Sequence, residues 1–219
     1  LLAVHDHEFP IMLNQVTEAF FSGSANLVGP ETGAAMRRIV ADPGDAGAAS
    51  TLSEDPGYNA RLRTTCVATL LEGGHAQNAL PQTAQANVNC RILPGHDPAD
   101  VEAQLKALAE PFDVAVSARG SATPSPSSAL TSQVLGPIEQ ITGEMWPGVP
   151  VLPVMSTGAT DSLYLRREGI PVYGVSGIFG DMDDMRAHGR DERILIEHFY
   201  EGQEFLYRLV KALTSDDGR

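Results

Sequence analysis

The sequence predicts an α/β fold built in two parts, and three observations predict it. Before residue 120, helix-like and strand-like segments follow one another in the order helix, strand, strand, helix, strand. Beyond it, short apolar strands alternate with helical stretches, the pattern of a sheet flanked by helices. Between the two lies GSATPSPSS, Gly120 to Ser128, whose Gly, Ser and Pro sustain neither helix nor strand. The division predicted is therefore 1–119 and 120–219.

In the first part, Pro10 to Phe21 offers Leu13, Val16 and Phe20 at helical spacing. Thr64 to Leu71 and Thr83 to Leu93 are β-branched or alternating, and the Gly-Gly and Pro between them argue for an antiparallel pair. Asp97 caps a helix with Pro98 in its first turn and Val101, Leu105 and Leu108 as its buried stripe. Phe112 to Ala118 is expected as a closing strand. With one more strand supplied from before Leu1, this order makes a ferredoxin-like βαββαβ unit. The stretch from Ser22 to Arg63 shows little periodicity beyond a short helix at Glu31 to Val40, and a connection of that length is expected to form an added lobe.

In the second part, Ala129 to Thr142 reads as helix, Val149 to Val154 as strand, Thr160 to Arg167 as helix and Pro171 to Val175 as strand. A final helix, about Asp191 to Leu213, carries Leu195, Phe199, Leu206, Leu209 and Leu213 as its apolar stripe. Only two strands of this sheet are evident, so the second part looks like an incomplete layer.

Composition sets limits on partners. With 219 residues and 42% hydrophobic content, the chain can build one sizeable core or two small ones. A formal charge of −13 repels phosphate backbones and anionic lipid, which argues against nucleic acid and membrane surfaces. No apolar run approaches the roughly 18 to 20 residues that cross a bilayer. The start, LLAVHDHEFP, lacks both an initiator Met and a signal-peptide pattern, and reads as the middle of a longer protein. The expectation is a soluble chain, cytoplasmic or periplasmic, with the compartment open. Cys66 and Cys90 fit two small buried thiols; they also lie at equal distances from Asn78, so a cross-strand bridge is conceivable.

Along the second strand, Ala86, Val88, Cys90 and Ile92 alternate with Asn87, Asn89 and Arg91. Alternation puts the first set on one face and the second on the other. On the partner strand, Cys66, Ala68 and Leu70 are expected to extend the apolar face. The polar face is then open to a ligand, and a guanidinium there suits a carboxylate because its paired donors match the two oxygens. The alternative is a solvated Arg in a structural ion pair.

Four stretches together carry a resemblance. They are GGHAQNALP at Gly73 to Pro81, NCRILPG around Arg91, STGATDS at Ser156 to Ser162 and AHGRDERI at Ala187 to Ile194. In this order the chain resembles the zinc-dependent amidohydrolases that include glutamate carboxypeptidase, aminoacylase, carnosine dipeptidase and succinyl-diaminopimelate desuccinylase. The resemblance implies a ferredoxin-like lid that dimerises, followed by the C-terminal portion of an α/β zinc-peptidase catalytic domain. It implies that Asn78 and Arg91 hold the substrate carboxylate and stabilise the tetrahedral oxyanion. Gly158, with Thr160 and Asp161, matches the substrate-side loop. His188, followed four residues later by Glu192, matches the last metal ligand, with a carboxylate near its second nitrogen. Each has a plainer alternative: Asn78 as a turn residue, Asp161 acting on a helix first turn, His188 as a cap, and the Gly180 to Met185 carboxylates as a solvated loop.

The same resemblance implies two zinc ions per active site, held largely by a His-x-Asp motif, a bridging Asp and a Glu-Glu pair that supplies the general base. This sequence contains no Glu-Glu pair, and His5-Asp6-His7-Glu8 lacks the His-x-Asp order. The expectation is therefore a fragment of a metal-dependent peptidase or amidohydrolase acting on a small peptide or N-acyl amino acid. It would be inactive alone, with no catalytic base in this chain and the zinc site incomplete. Its N-terminal catalytic half would be its missing partner and a second copy its dimer mate. The competing expectation is a non-catalytic dimerisation module.

Overall fold

The computed structural model describes residues 1–181, 184 and 186–215. It divides into two compact units, one of Leu1–Ser127 with Pro153–Ile170, the other of Ser128–Leu152 with the residues from Pro171 onward.

The first unit opens with a short helix, α1 (Leu2–His5), then α2 (Gln15–Ser24). The helix expected from Pro10 starts later because Asn14 is a strong cap. Its side chain accepts from the N–H groups of Val16 and Thr17, and the Thr17 hydroxyl accepts from the Asn14 N–H. Three further helices fill the stretch whose periodicity was poor: α3 (Pro30–Ala41), α4 (Ala46–Ser53) and α5 (Pro56–Leu62). Their starts are local. Pro30 and Pro56 sit in first turns, Asp45 accepts from Ala48 N–H, and Asp55 accepts from the N–H groups of Gly57 and Tyr58.

These helices hold the densest core. Phe21, Met36, Ile39, Leu52 and Leu62 are wholly buried, with Ala25, Ala35, Ala48 and Ala49 among them. Burying each of the five large side chains is worth about 1.5–3 kcal/mol, an upper estimate when the unfolded chain is already compact. The helices come close because the contacting residues are small. A Cβ on Gly33 would lie 2.1 Å from the Ala25 carbonyl oxygen.

Two strands follow, β1 (Thr65–Gly73) and β2 (Ala84–Arg91), paired antiparallel. Thr65 faces Arg91, Cys66 faces Cys90 and Ala68 faces Val88; past a bulge at Thr69 the register shifts, so Leu70 faces Asn87 and Leu71 faces Ala86. The bulge corrects one expectation. One extra residue turns Leu70 to the Asn87 side and brings Leu71 to the Ala86 side, so the apolar face continues through Leu71. Thr69 and Asn87 lock the bulge, with Asn87 Nδ2 donating to Thr69 Oγ1 at 2.7 Å.

At the base of the hairpin, Thr64 is buried and its hydroxyl accepts from Leu93 N–H at 3.1 Å and bonds the buried His96 ring nitrogen Nδ1 at 2.8 Å. Next comes α6 (Pro98–Ala109), capped by Asp97 through Ala99 N–H as its sequence predicts. Val101 is buried, while Leu105 and Leu108 are half-buried. The chain then makes a 3₁₀ turn, Glu110–Phe112, and the expected strand over 112–118 does not pair with β1, β2 or any other described segment. Phe112 and Val114 stay exposed.

The second unit packs α7 (Ser132–Met145) with α9 (Ile196–Thr214); the short helix α8 (Ser162–Arg167) belongs to the first unit. Ile138, Ile141, Phe205 and Leu209 form its core, with Trp146 against Phe179 and Phe205 at ring distances of 4.8 and 5.5 Å. Close approach again uses glycine: a Cβ on Gly202 would meet the Ile178 side chain at 2.5 Å.

Two expectations fail in this unit. The segments 149–154 and 171–175 form no ladder among the described residues. Val172 shows why: its N–H donates to Ser128 Oγ at 2.9 Å and its carbonyl accepts from the same hydroxyl at 2.7 Å, so a side chain replaces a neighbouring strand. On α9 the buried residues are Gly202, Phe205 and Leu209. Leu195, Phe199, Leu206 and Leu213 of the expected stripe are exposed and only Leu209 is buried, because the core takes the adjoining edge of a broad apolar face.

Candidate active-site residues

Arg91 ends β2, opposite Thr65. It is exposed and carries no ion pair among the described residues. Its neighbours along the same face, Asn87 and Asn89, differ in availability: Asn87 is committed to Thr69, whereas Asn89 is exposed. Asn78 lies in the loop of residues 74–83 beyond the far end of the ladder, where Gly73 faces Ala84. Every residue from 71 to 86 is exposed, so the loop packs over neither face. The seven residue steps from Ala84 to Arg91 span about 23 Å of strand. Asn78 and Arg91 therefore sit at opposite ends of one hairpin.

Cys66 and Cys90, directly opposite in register, form a disulfide that closes this hairpin one residue from Arg91. Their equal spacing about Asn78 was the signal in the sequence.

Gly158 belongs to the first unit and is exposed, its N–H donating to Ser156 Oγ at 3.3 Å. Asp161 precedes α8 but makes no side-chain cap bond. Its backbone is already α-helical and its carbonyl accepts from Tyr164 N–H, so it forms part of the turn and its side chain is not placed as a cap.

His188 lies in the second unit. With φ of 65° it is one of two non-glycine residues in the left-handed region among those described. Such a conformation costs free energy and persists only where the surroundings impose it. Ion pairs flank His188 in sequence on both sides. Arg186 pairs with Asp184 and Asp191, and Arg193 Nε donates to Asp184 at 3.0 Å. The hydrogen bonds from Arg186 and Arg193 hold the Asp184 carboxyl below its ordinary value. Glu192 is tied through its backbone, its N–H donating to the Gly189 carbonyl at 3.4 Å. The acids and bases of the loop thus bind one another. Asp184, expected in a solvated acidic loop, is instead paired with Arg186 and Arg193. Met182, Asp183 and Met185 of the expected acidic loop lie outside the described residues.

Among the described residues, no group of three or more His, Cys, Asp and Glu is gathered to hold a metal ion. One imidazole does not make a zinc shell, which needs at least three protein donors. The described residues therefore do not assemble a zinc site on their own.

Residues 20–116 match the peptidase dimerisation domain of the M20 family. Human N-fatty-acyl-amino acid synthase/hydrolase PM20D1 is 28% identical over 75% of this chain and 34% of its own length. A Dictyostelium discoideum protein described as "Probable carboxypeptidase S-like 2" is 26% identical over 73% of this chain and 31% of its own. The chain thus spans about a third of the length of these curated relatives. The M20 family metallo-carboxypeptidase Sso-CP2 from Sulfolobus solfataricus shares the fold, with a TM-score of 0.55 at 18% identity over 97% of this chain and 51% of that one. The family resemblance carried by the four sequence stretches is borne out: this is an α/β chain related to the M20 peptidases. No helix among the described residues is long and apolar enough to cross a membrane.

Proposed function

We propose that this chain serves as the lid and C-terminal catalytic portion of an M20-type hydrolase that cleaves the amide of a small peptide or N-acyl amino acid. In this reading residues 1–119 are the lid and dimerisation part, and 120–219 belong to the catalytic domain. Arg91 receives the substrate carboxylate on its paired donors, Asn78 donates its side-chain amide to the oxyanion, and Gly158 offers its backbone beside the substrate. His188 is the one imidazole offered to a zinc pair whose other ligands, with the general base, lie outside this chain.

The observation that carries this reading is the exposed Arg91, without an ion pair among the described residues, on a hairpin within the stretch that matches the peptidase dimerisation domain. The hairpin adds a condition. Because Asn78 and Arg91 lie at opposite ends of the ladder, one copy cannot close both on one small substrate. Dimerisation resolves this if Asn78 of one copy meets the substrate held by Arg91 of its partner.

In the hydrolase containing this chain, Arg91→Ala lowers kcat/KM at least about a hundredfold and leaves the fold intact, while His188→Ala loses bound zinc. Unaltered kinetics or unaltered metal content contradicts the corresponding assignment. The dimerisation-domain match also supports a second reading, a non-catalytic module. A dimer that takes up no zinc even with the catalytic half supplied favours that module.

A further inference from the structure

Arg63 closes α5 and is only 5% exposed, yet it lines an open cleft of about 810 Å³ in the first unit. That volume falls within the range of small-molecule sites. Phe9, Pro10, Ile11 and Ala49 give the cleft its apolar wall, and Glu8, Asp45 and Glu54 its charge. The Arg63 guanidinium is half used. Nη1 meets Glu8 Oε2 at 2.6 Å, but Glu8 is 70% exposed, and the Arg63 Nε is buried without a hydrogen-bond partner. The two Nη groups of an Arg present an end-on fork that one carboxylate can take, and Glu8 holds one side of it through Nη1.

The other charges narrow the ligand. Asp45 is engaged by Arg38 and by Ala48 N–H. Glu54 is left as a lining carboxylate with no side-chain partner among the described residues. A plain anion meets surplus negative charge there, whereas a zwitterion matches both Arg63 and Glu54. We infer that this cleft binds a free α-amino acid with an apolar side chain. Its carboxylate takes the Arg63 fork in place of Glu8, its ammonium group faces Glu54, and its side chain lies against Phe9 and Ile11. None of these residues belongs to the site proposed above. Glu8 acts as a tethered competitor, so occupancy depends on displacing it.

The test is calorimetric titration of L-leucine into the 219-residue chain carrying Arg91→Ala, which removes any carboxylate binding at the hairpin. Saturable binding is expected, with N-acetyl-L-leucine and L-leucine amide each weaker by about tenfold or more. Arg63→Lys abolishes binding. Glu8→Gln, which keeps an uncharged acceptor beside the buried Arg63, tightens it about fivefold by weakening the competitor. Absence of saturable binding by the folded chain, equal binding of either leucine derivative, or an affinity unmoved by Glu8→Gln overturns the inference.

Discussion

Cys66 and Cys90 stand directly opposite each other in the β1–β2 ladder, their Cα atoms 4.1 Å apart, and their disulfide ties together the two strands that lead to Asn78 and Arg91. A two-stranded ladder with so much exposed surface gains little from burial, and such hairpins are marginal on their own. The bridge encloses 24 residues of sequence separation. Constraint of the unfolded chain by a loop of that size is worth about 3 kcal/mol. Denaturant unfolding of the oxidised protein and of a Cys66→Ser, Cys90→Ser variant is expected to differ by that order. Equal midpoints would show that the hairpin is held by other means.

Gly33→Ala is expected to destabilise the first unit by about 1–3 kcal/mol, because a Cβ at that position falls 2.1 Å from the Ala25 carbonyl oxygen and forces α3 away from the end of α2. Thermal melting compared with Gly29→Ala, where a Cβ meets nothing within 4 Å, reads the effect. Matching melts would mean that the helices part without cost.

Asp45 links stability to acid. The Ala48 N–H is the largest influence holding its carboxyl below 3.8, with Arg38 adding to it against some desolvation. A folded-state value below the unfolded one stabilises above the unfolded pKa, and that contribution is lost as pH falls through the folded value. Asp45→Asn is therefore expected to flatten part of the stability decline below about pH 4 and to leave the slope near neutrality unchanged. An acid limb identical to that of the unsubstituted chain contradicts the cap.

How much was legible in advance depends on what each signal measures. The α6 start was read from Asp97 and Pro98 because a cap is a local event. The symmetry of the hairpin about Asn78 allowed the bridge between Cys66 and Cys90, and the structure replaces the plainer reading of two separate buried thiols with it. The helices between Ser22 and Arg63 were largely missed because their buried positions include Gly33, Ala35, Ala48 and Ala49, too weakly apolar to mark a period. Val149–Val154 and Pro171–Val175 look like strands from composition, but a strand exists only through its partner, and Ser128 takes that place for Val172. For the candidate site, residue types were legible and relative position was not. Asn78 and Arg91 are thirteen residues apart in sequence, which hides that a ladder separates them.

The central claim is that Asn78 and Arg91 act on one substrate from two copies of the chain. Its most direct test mixes two separately inactive variants of the hydrolase containing this chain, Asn78→Ala and Arg91→Ala, under conditions where dimers exchange. If the residues act across the dimer, each mixed dimer holds one intact site, and random mixing restores about a quarter of the unsubstituted activity. If both residues serve the site of their own copy, every site lacks one of them. Activity that stays at the level of the separate variants would contradict the account.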